Sequence, residues 1–304
     1  MDGTASERLG LLFPAGGRVA PAQMIGREGD VAELVERVRE LAHVAISGPR
    51  RAGKTSVCAA ACAQLHEHHD FLVLEVEAPE QSSAAGVCQL VIDRAARLDL
   101  QARARGFLKL AAPTIQKLLE SQGVPLDLSG FGAELPHATR RAALELPRSI
   151  ARQQRRKLVF FLDELQRAVD YADGVGLVHD LLDIYAGNAY VAVLIDGSDE
   201  RTIEKLMGSP YDLARLAQRI PLEPTIPADQ WPGPLHERFR QAALTISAPR
   251  LERILDFGQG RPYDTMTACL YVALNARRLH SEEIDDFALD HGLEEARARL
   301  DEDS

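Results

Sequence analysis

The chain has 304 residues, of which 46% are hydrophobic, and it carries a formal net charge of −10. This length suffices for one large or two modest domains with a full core, and the apolar runs are too short to span a membrane. The negative charge repels nucleic acid and anionic membranes, so binding to either would require a local basic patch.

The first residues and the cysteines indicate the compartment. Residues 1–10 carry charged side chains and lack the apolar stretch of a secretory signal, so we expect a cytoplasmic protein. The four cysteines follow neither a disulfide framework nor a C-x-x-C metal pattern. Prolines and adjacent glycines interrupt residues 1–22, where few apolar positions recur with helical spacing. We therefore predict an extended leader at 1–22.

Strands and helices alternate in the next two hundred or so residues. Apolar positions in residues 31–41 recur with the spacing of one helix face, which predicts an amphipathic helix before the first strand. Short strand-like runs predict five strands, at 43–47, 71–76, 158–162, 190–195 and 219–222. Because helical segments separate these runs, we expect a parallel sheet covered by helices on both faces.

A change in composition predicts a domain boundary. Five prolines lie within residues 221–234, around Trp231, and the sequence beyond them has helical periodicity and ends in an acidic tail. The predicted fold class is therefore α/β, with a parallel five-stranded sheet flanked by helices and followed by a small all-helical domain. The predicted division is a leader at 1–22, a core at 23–222 and the helical domain with its acidic tail at 223–304.

The most informative motif lies between the first strand and the next helix. Residues 48–55 spell G-x-x-x-x-G-K-[ST], the pattern of the phosphate-binding loop of P-loop NTPases. Glycines let the backbone N–H groups point at the β-phosphate, and the N-terminus of the following helix favours negative charge. Lys54 would reach the β- and γ-phosphates, and Thr55 would hold Mg²⁺. The candidate nucleotide-binding residues are Gly48, Pro49, Arg50, Arg51, Ala52, Gly53, Lys54, Thr55 and Ser56.

A second motif ends the third predicted strand, where Asp163 and Glu164 follow five apolar residues. At a strand tip in a nucleotide site, Asp163 would support Mg²⁺, and Glu164 would activate the water that attacks the γ-phosphate. The alternative is a plain strand followed by an acidic turn. The phosphate-binding loop earlier in the chain favours the functional interpretation.

Two further candidates rest on position alone. The fourth strand is followed by D-G-S-D, and we choose Ser198 as the residue that would sense the γ-phosphate. Asp196 and Asp199 are the other candidates for this role. The alternative is a simple turn without a function. Arg215 is the first candidate for an arginine finger that would reach a neighbouring subunit. Arg201 and Arg219 are its rivals, and surface salt bridges are the other explanation.

A turn in the predicted helical domain reads F-G-Q-G-R-P-Y, at residues 257–263. Its glycines can end one helix and Pro262 can open the next, so a structural role would be sufficient. A functional role would place the turn over the nucleotide base, with Arg261 near the phosphates.

Together these residues resemble the archaeal-type ATPase group of the AAA+/STAND P-loop NTPases, which is close to the origin-recognition ATPases. Ile25-Gly26-Arg27-Glu28 is similar to the group's box that opens the first helix and borders adenine, and residues 260–263 match the Gly-x-Pro turn of its helical lid. Residues 209–215 resemble the segment in which an arginine precedes the last strand, although Ala214 stands where the group has glycine. No effector domain is recognised after the lid.

The resemblance implies ATP rather than GTP as the ligand, bound with Mg²⁺ under the lid. It places four residues beside the base: Ile25, Gly26, Arg27 and Pro262. The expected activity is hydrolysis of ATP to ADP and phosphate by a conformational switch or assembly ATPase that acts with a protein partner or by self-association. Two alternatives stay open, an ATP-licensed DNA-associated regulator and a nucleotide-binding scaffold without turnover. The acidic charge disfavours nucleic acid as a partner.

Overall fold

The structure, a computed structural model, describes residues 3–80, 83–104, 135–187, 189–197 and 200–302, with isolated positions between 117 and 128. The chain divides into two compact units. The helical unit comprises Met1–Asp30, Pro49–Val57 and Leu222–Ser304, and the sheet unit comprises Val31–Gly48 and Cys58–Pro221.

The sheet unit is built on five parallel strands in the order β2-β3-β4-β1-β5. Their bounds are Val44–Ser47 (β1), Leu72–Glu77 (β2), Leu158–Asp163 (β3), Val191–Asp196 (β4) and Gln218–Pro221 (β5). Every residue of β1, β3 and β4 is buried, as expected for central parallel strands that are covered on both faces. The prediction of a five-stranded parallel sheet is confirmed, and each strand lies within one residue of its predicted position.

Five α-helices of the described chain belong to the sheet unit alone. They are α4 (Ala84–Ala104), α5 (His137–Leu144), α6 (Leu146–Gln154), α7 (Gly174–Tyr185) and α8 (Glu200–Met207). Tyr185 fixes α7 in the core, where its ring lies 5.9 Å from that of Phe160 and its hydroxyl donates to the carbonyl of Leu144 at 2.6 Å. Two helices contribute residues to both units, α2 (Glu28–Arg39) and α3 (Lys54–His69).

The helical unit has a core of its own, formed by helices from both ends of the chain. They are α1 (Gly3–Leu12), α9 (Pro232–Gln241), α10 (Ala248–Gly258), α11 (Pro262–Arg278) and α12 (Asp286–Glu302). Proline lies in the first turn of α9, α10 and α11, where its missing N–H costs no hydrogen bond. The helices α11 and α12 approach closely, since a Cβ at Gly292 would lie 2.5 Å from Val272 Cα. Among the described helices, none is both long and apolar enough to cross a membrane.

The structure corrects the prediction of an extended leader. Gly3–Leu12 is helical, and Leu9 and Phe13 are buried in the core of the helical unit. The ring of Phe13 lies 4.7 Å from that of Phe239. Tertiary packing stabilises this short helix, and such packing overrides weak local propensity. The boundary predicted between the core and the helical domain, at residues 222 and 223, stays a prediction.

Candidate nucleotide-binding site

The phosphate-binding loop connects β1 to α3. Its backbone has positive φ at Gly48 (151°), Arg51 (67°) and Gly53 (93°). The values at Gly48 and Gly53 lie in conformations that side chains rarely adopt, which explains both glycines of the motif. A Cβ at Gly53 would meet no atom within 4 Å, so its backbone angle and not crowding requires glycine there. The loop therefore has the wrapped backbone that the motif predicts.

Lys54 begins α3 and is 4% exposed. Its Nζ donates to the carbonyl oxygen of Pro49 at 2.8 Å, so the ammonium group lies across the loop. Of the other loop residues, Ala52 and Ser56 are buried and Thr55 is half-buried, whereas Pro49, Arg50 and Arg51 are exposed. The loop therefore presents its lysine on the inner side and two arginines to solvent.

An apolar cavity of about 60 Å³, partly open to solvent, lies beside the loop within the helical unit. Three residues of the loop and helix line it (Ala52, Gly53, Ser56), as do three of the four residues predicted beside the base (Ile25, Arg27, Pro262). The residues that the sequence did not indicate are Pro14, Val19, Gln23, Met24, Ile226, Trp231, Arg238 and Met266.

Gly26 and Arg27 fix the backbone around this cavity. Gly26 has φ +65°, and a Cβ there would overlap Ile226 and lie 2.5 Å from Gln230 Oε1. The buried Arg27 donates from Nη2 to the carbonyls of Ala52, at 3.0 Å, and Glu223, at 2.7 Å. Its Nη1 pairs with Asp30 Oδ2 at 3.1 Å. Arg27 thus joins the phosphate-binding loop to the start of the segment that precedes α9.

The turn at 257–263 lies in the same unit. Gly260 has φ +74° and accepts a hydrogen bond from Ile226 N at 2.8 Å. Arg261 is 56% exposed and pairs with Asp264 at 3.2 Å, so its guanidinium is directed along α11. The contact from this turn to the loop is made by Tyr263, whose ring centroid lies 4.3 Å from Arg51 Cζ. This cation–π pair joins the turn to the phosphate-binding loop, and a contact between Arg261 and phosphate stays a prediction.

In the sheet unit, polar residues end three neighbouring strands at one edge of the sheet. Ile46 pairs with Asp196, and Leu162 pairs with Ile195, so the strand register places Asp163 and Asp196 side by side. Asp163 and Asp196 are both buried. The buried Ser47, which precedes the phosphate-binding loop, accepts from Arg219 Nε at 2.7 Å. This edge of the sheet therefore carries two buried carboxylates next to the strand that leads into the loop.

Glu164 has a left-handed backbone, with φ 58° and ψ 28°. Such a conformation is costly for a residue with a side chain and is concentrated at functional sites. The Glu164 carboxylate accepts from Gln166 Nε2 and lies 3.8 Å from Arg167 Nε. The other end of the Gln166 amide is close to β4, since its Oε1 would lie 2.6 Å from a Cβ at Gly197. Gln166, which sequence reasoning assigned no role, thus holds the predicted water-activating side chain.

The sensor and finger candidates have different outcomes. Ser198 and Asp199 lie outside the described residues. Arg215 is exposed, in a short 3₁₀ turn (Leu213–Arg215) before β5, and Arg201 is exposed on α8. Arg219 belongs to β5 and also pairs with Glu204 at 3.2 Å. Its contacts with Ser47 and Glu204 hold the Arg219 side chain within the sheet unit. The assignment of Arg215 as a finger stays a prediction.

No family model and no curated protein sequence matches the chain. Solved structures match it by fold. A Walker-type ATPase of Pyrococcus abyssi aligns with a TM-score of 0.62 at 15% identity, over 96% of this chain and 78% of that one. The ORC1 protein of Aeropyrum pernix, in complex with DNA, aligns with a TM-score of 0.62 at 15% identity, over 96% and 69%. The ORC2 protein of the same organism, in ADPNP and ADP complexes, aligns with a TM-score of 0.62 at 14% identity, over 94% and 71%.

Likeness at such low identity establishes architecture. The parallel sheet, the loop after β1 and the C-terminal helices of this chain all belong to that shared architecture. The resemblance drawn from the motifs is thereby confirmed at the level of the fold. The chain has the P-loop fold of the archaeal Walker-type and origin-recognition ATPases.

Proposed function

We propose that this protein binds ATP with Mg²⁺ and hydrolyses it to ADP and phosphate. The observation that carries the proposal is the phosphate-binding loop, wrapped by its two glycines, with an apolar cavity beside it in the same compact unit. A nucleotide combines a triphosphate with a flat, largely apolar base. A cation-bearing loop next to an apolar cavity complements both halves of such a molecule.

Lys54 and the N-terminus of α3 bind the phosphates in this proposal. The Lys54 ammonium exchanges the Pro49 carbonyl for phosphate oxygens, while the first N–H groups of α3 point at the same charge. The base enters the cavity, between Ile25 and Pro262. We infer adenine, because the resemblance implies ATP and because a solved structure with this fold is described in complex with ADPNP and ADP.

The residues proposed for Mg²⁺ fit that ion chemically. Thr55 offers a hydroxyl and Asp163 offers a buried carboxylate, and Mg²⁺ prefers such oxygen ligands together with water and substrate phosphates. When bound, the ion would neutralise charge that develops on the phosphate oxygens. Glu164 accepts the proton of the attacking water, and Gln166 orients the Glu164 carboxylate for this purpose.

For the cellular role, we propose a nucleotide-dependent conformational switch or assembly ATPase that works with a protein partner. Arg215 is exposed before β5, as an arginine that reaches a neighbouring subunit needs to be. Three of the five basic side chains at 148–157 make contacts within the protein: Arg148 pairs with Glu145, Arg156 pairs with Asp70, and Lys157 donates to the carbonyl of Arg39. These internal contacts, together with the net charge of −10, weaken the case for DNA as the partner.

Two alternatives are kept. A solved ORC1 structure with this fold is in complex with DNA, so an ATP-licensed DNA-associated regulator is the first of them. The second is a nucleotide-binding scaffold without turnover. ATP-dependent gel shifts at several salt concentrations separate the first from the proposed function. The mass of the protein with and without ATP shows whether it assembles.

Phosphate release and nucleotide binding test the main proposal together. We expect Glu164→Gln to retain ATP and to lose at least about a hundredfold in turnover, the usual contribution of a general base. Lys54→Ala should lose binding itself. Unchanged release from the Glu164→Gln variant would show that another group activates water. ATP binding by Lys54→Ala as tight as that of the wild type would refute the proposed site.

A further inference from the structure

A buried arginine holds the N-terminal part of the helical unit. Arg238 lies on α9 and is 9% exposed. Its Nη1 donates to the carbonyl of Leu12 at 2.9 Å, and its Nη2 donates to the carbonyl of Gln23. Nη1 also lies 3.3 Å from Met266 Sδ. One guanidinium thus binds both ends of residues 13–22, which we call the N-terminal loop.

The N-terminal loop forms one wall of the apolar cavity. Pro14 and Val19 line the cavity from within the loop, and Gln23 and Met24 continue the wall. The backbone N–H of Val19 donates to Ser56 Oγ at 3.0 Å, in the first turn of α3. The loop is therefore fixed at both ends by Arg238 and near its middle by the helix that follows the phosphate-binding loop.

Because Arg238 is buried, Arg238 and the N-terminal loop stabilise each other. Burial lowers the pKa of the Arg238 guanidinium, and a buried cation is costly unless hydrogen bonds replace its water. The carbonyls of Leu12 and Gln23 provide those bonds. In return, the planar guanidinium holds two carbonyls at once, which removes much of the freedom of the chain between them. Without Arg238 we expect this wall of the cavity to lose its fixed position.

We propose that Arg238 is a positioning residue for the nucleotide base. It holds the N-terminal loop against the cavity, while the phosphate-binding loop binds the triphosphate independently of it. This inference rests on the proposed function and deepens it, because it assigns affinity for the base to a side chain on α9. It predicts that binding of a base-containing ligand and binding of a bare triphosphate respond differently to the same substitution.

Titration calorimetry with Mg·ATP and with Mg·tripolyphosphate separates these two contributions. We expect Arg238→Met to raise the Kd for ATP at least about tenfold, as the loss of charged hydrogen bonds implies, and to change the Kd for tripolyphosphate by less than about twofold. Arg240→Met is the matched control. Arg240 lies on the same helix, is exposed and pairs with Glu237 at 2.7 Å, so both dissociation constants should stay as in the wild type.

Two further variants keep the test decisive if Arg238→Met does not fold. Lysine in place of Arg238 keeps the charge but cannot hold two carbonyls in a fixed fork, and Phe13→Ala loosens the N-terminal loop without altering a cavity-lining residue. Each should weaken ATP binding and spare tripolyphosphate.

The possible failures are distinct. Variants that weaken both ligands equally, or neither, overturn the role of Arg238. A wild type that binds ATP no better than tripolyphosphate overturns it too, while leaving the phosphate-binding loop in place. A wild type that binds neither ligand refutes the proposed function along with the inference.

Discussion

Replacing Arg27 by methionine should lower the free energy of unfolding of the helical unit by about 3 kcal/mol, because two hydrogen bonds from a charged donor, each worth at least about 1.5 kcal/mol, are lost. These bonds run to the carbonyls of Ala52 and Glu223. We take the lower bound for each because the bond to Glu223 is only half-buried. The ion pair with Asp30 adds little, since that carboxylate is partly exposed.

The chain contains a single tryptophan, Trp231, which is buried in the helical unit, so its fluorescence in a urea titration reports the unfolding of that unit. Arg39→Met is the control, at the far end of the helix that begins immediately after Arg27. Arg39 is exposed and pairs with Glu36, so the expected loss is about 0.5 kcal/mol or less. A loss of under about 1 kcal/mol in Arg27→Met would refute the reasoning, because each of the two hydrogen bonds from this charged donor is expected to be worth more than that.

Two other substitutions test the backbone and the pH dependence. Gly26→Ala should destabilise the protein by about 2–4 kcal/mol in the same titration, from left-handed strain and overlap with Ile226, whereas Gly29→Ala, with open space around it, should be neutral or stabilising. Burial lowers the pKa of His43, whose Nδ1 accepts from Val193 N at 2.9 Å. The folded state then binds fewer protons, so stability is full above about pH 6.5 and falls below it. His43→Gln should flatten this dependence between pH 7.5 and 5.5; an unchanged pH profile would contradict the assignment.

The central strands β3 and β4 could be predicted from the sequence because each is a short run rich in β-branched and large apolar residues, as central parallel strands require. In β3 and β4 every residue is buried, so apolar character is continuous and stops where Asp163 and Asp196 begin the polar edge. The phosphate-binding loop could be predicted for a similar reason, since its backbone angles allow only certain residue types. In both cases a local requirement, burial in the strands and backbone angle in the loop, restricts which residue types can occupy a position.

The N-terminal helix could not be predicted in this way. The contacts that hold it join residues 226 positions apart, Leu12 to Arg238 and Phe13 to Phe239. Nothing in the spacing of residues 1–22 signals partners so far away. The role of Gln166 was missed for a related reason, because the left-handed turn at Glu164 brings the two side chains together and few sequence patterns predict such a turn.

The two arginines that frame the cavity show why the sequence does not reveal the residues that shape this candidate site. Arg27 holds the carbonyls of Ala52 and Glu223, and Arg238 holds those of Leu12 and Gln23. A guanidinium suits this task because its fixed fork of donors can bind two acceptors at once. Every residue has a carbonyl, so the acceptor leaves no mark in the sequence, and an arginine that binds backbone looks like any surface arginine. The residues proposed to bind phosphate can therefore be predicted from a motif, whereas the residues that give the neighbouring cavity its shape become visible only when the chain is folded.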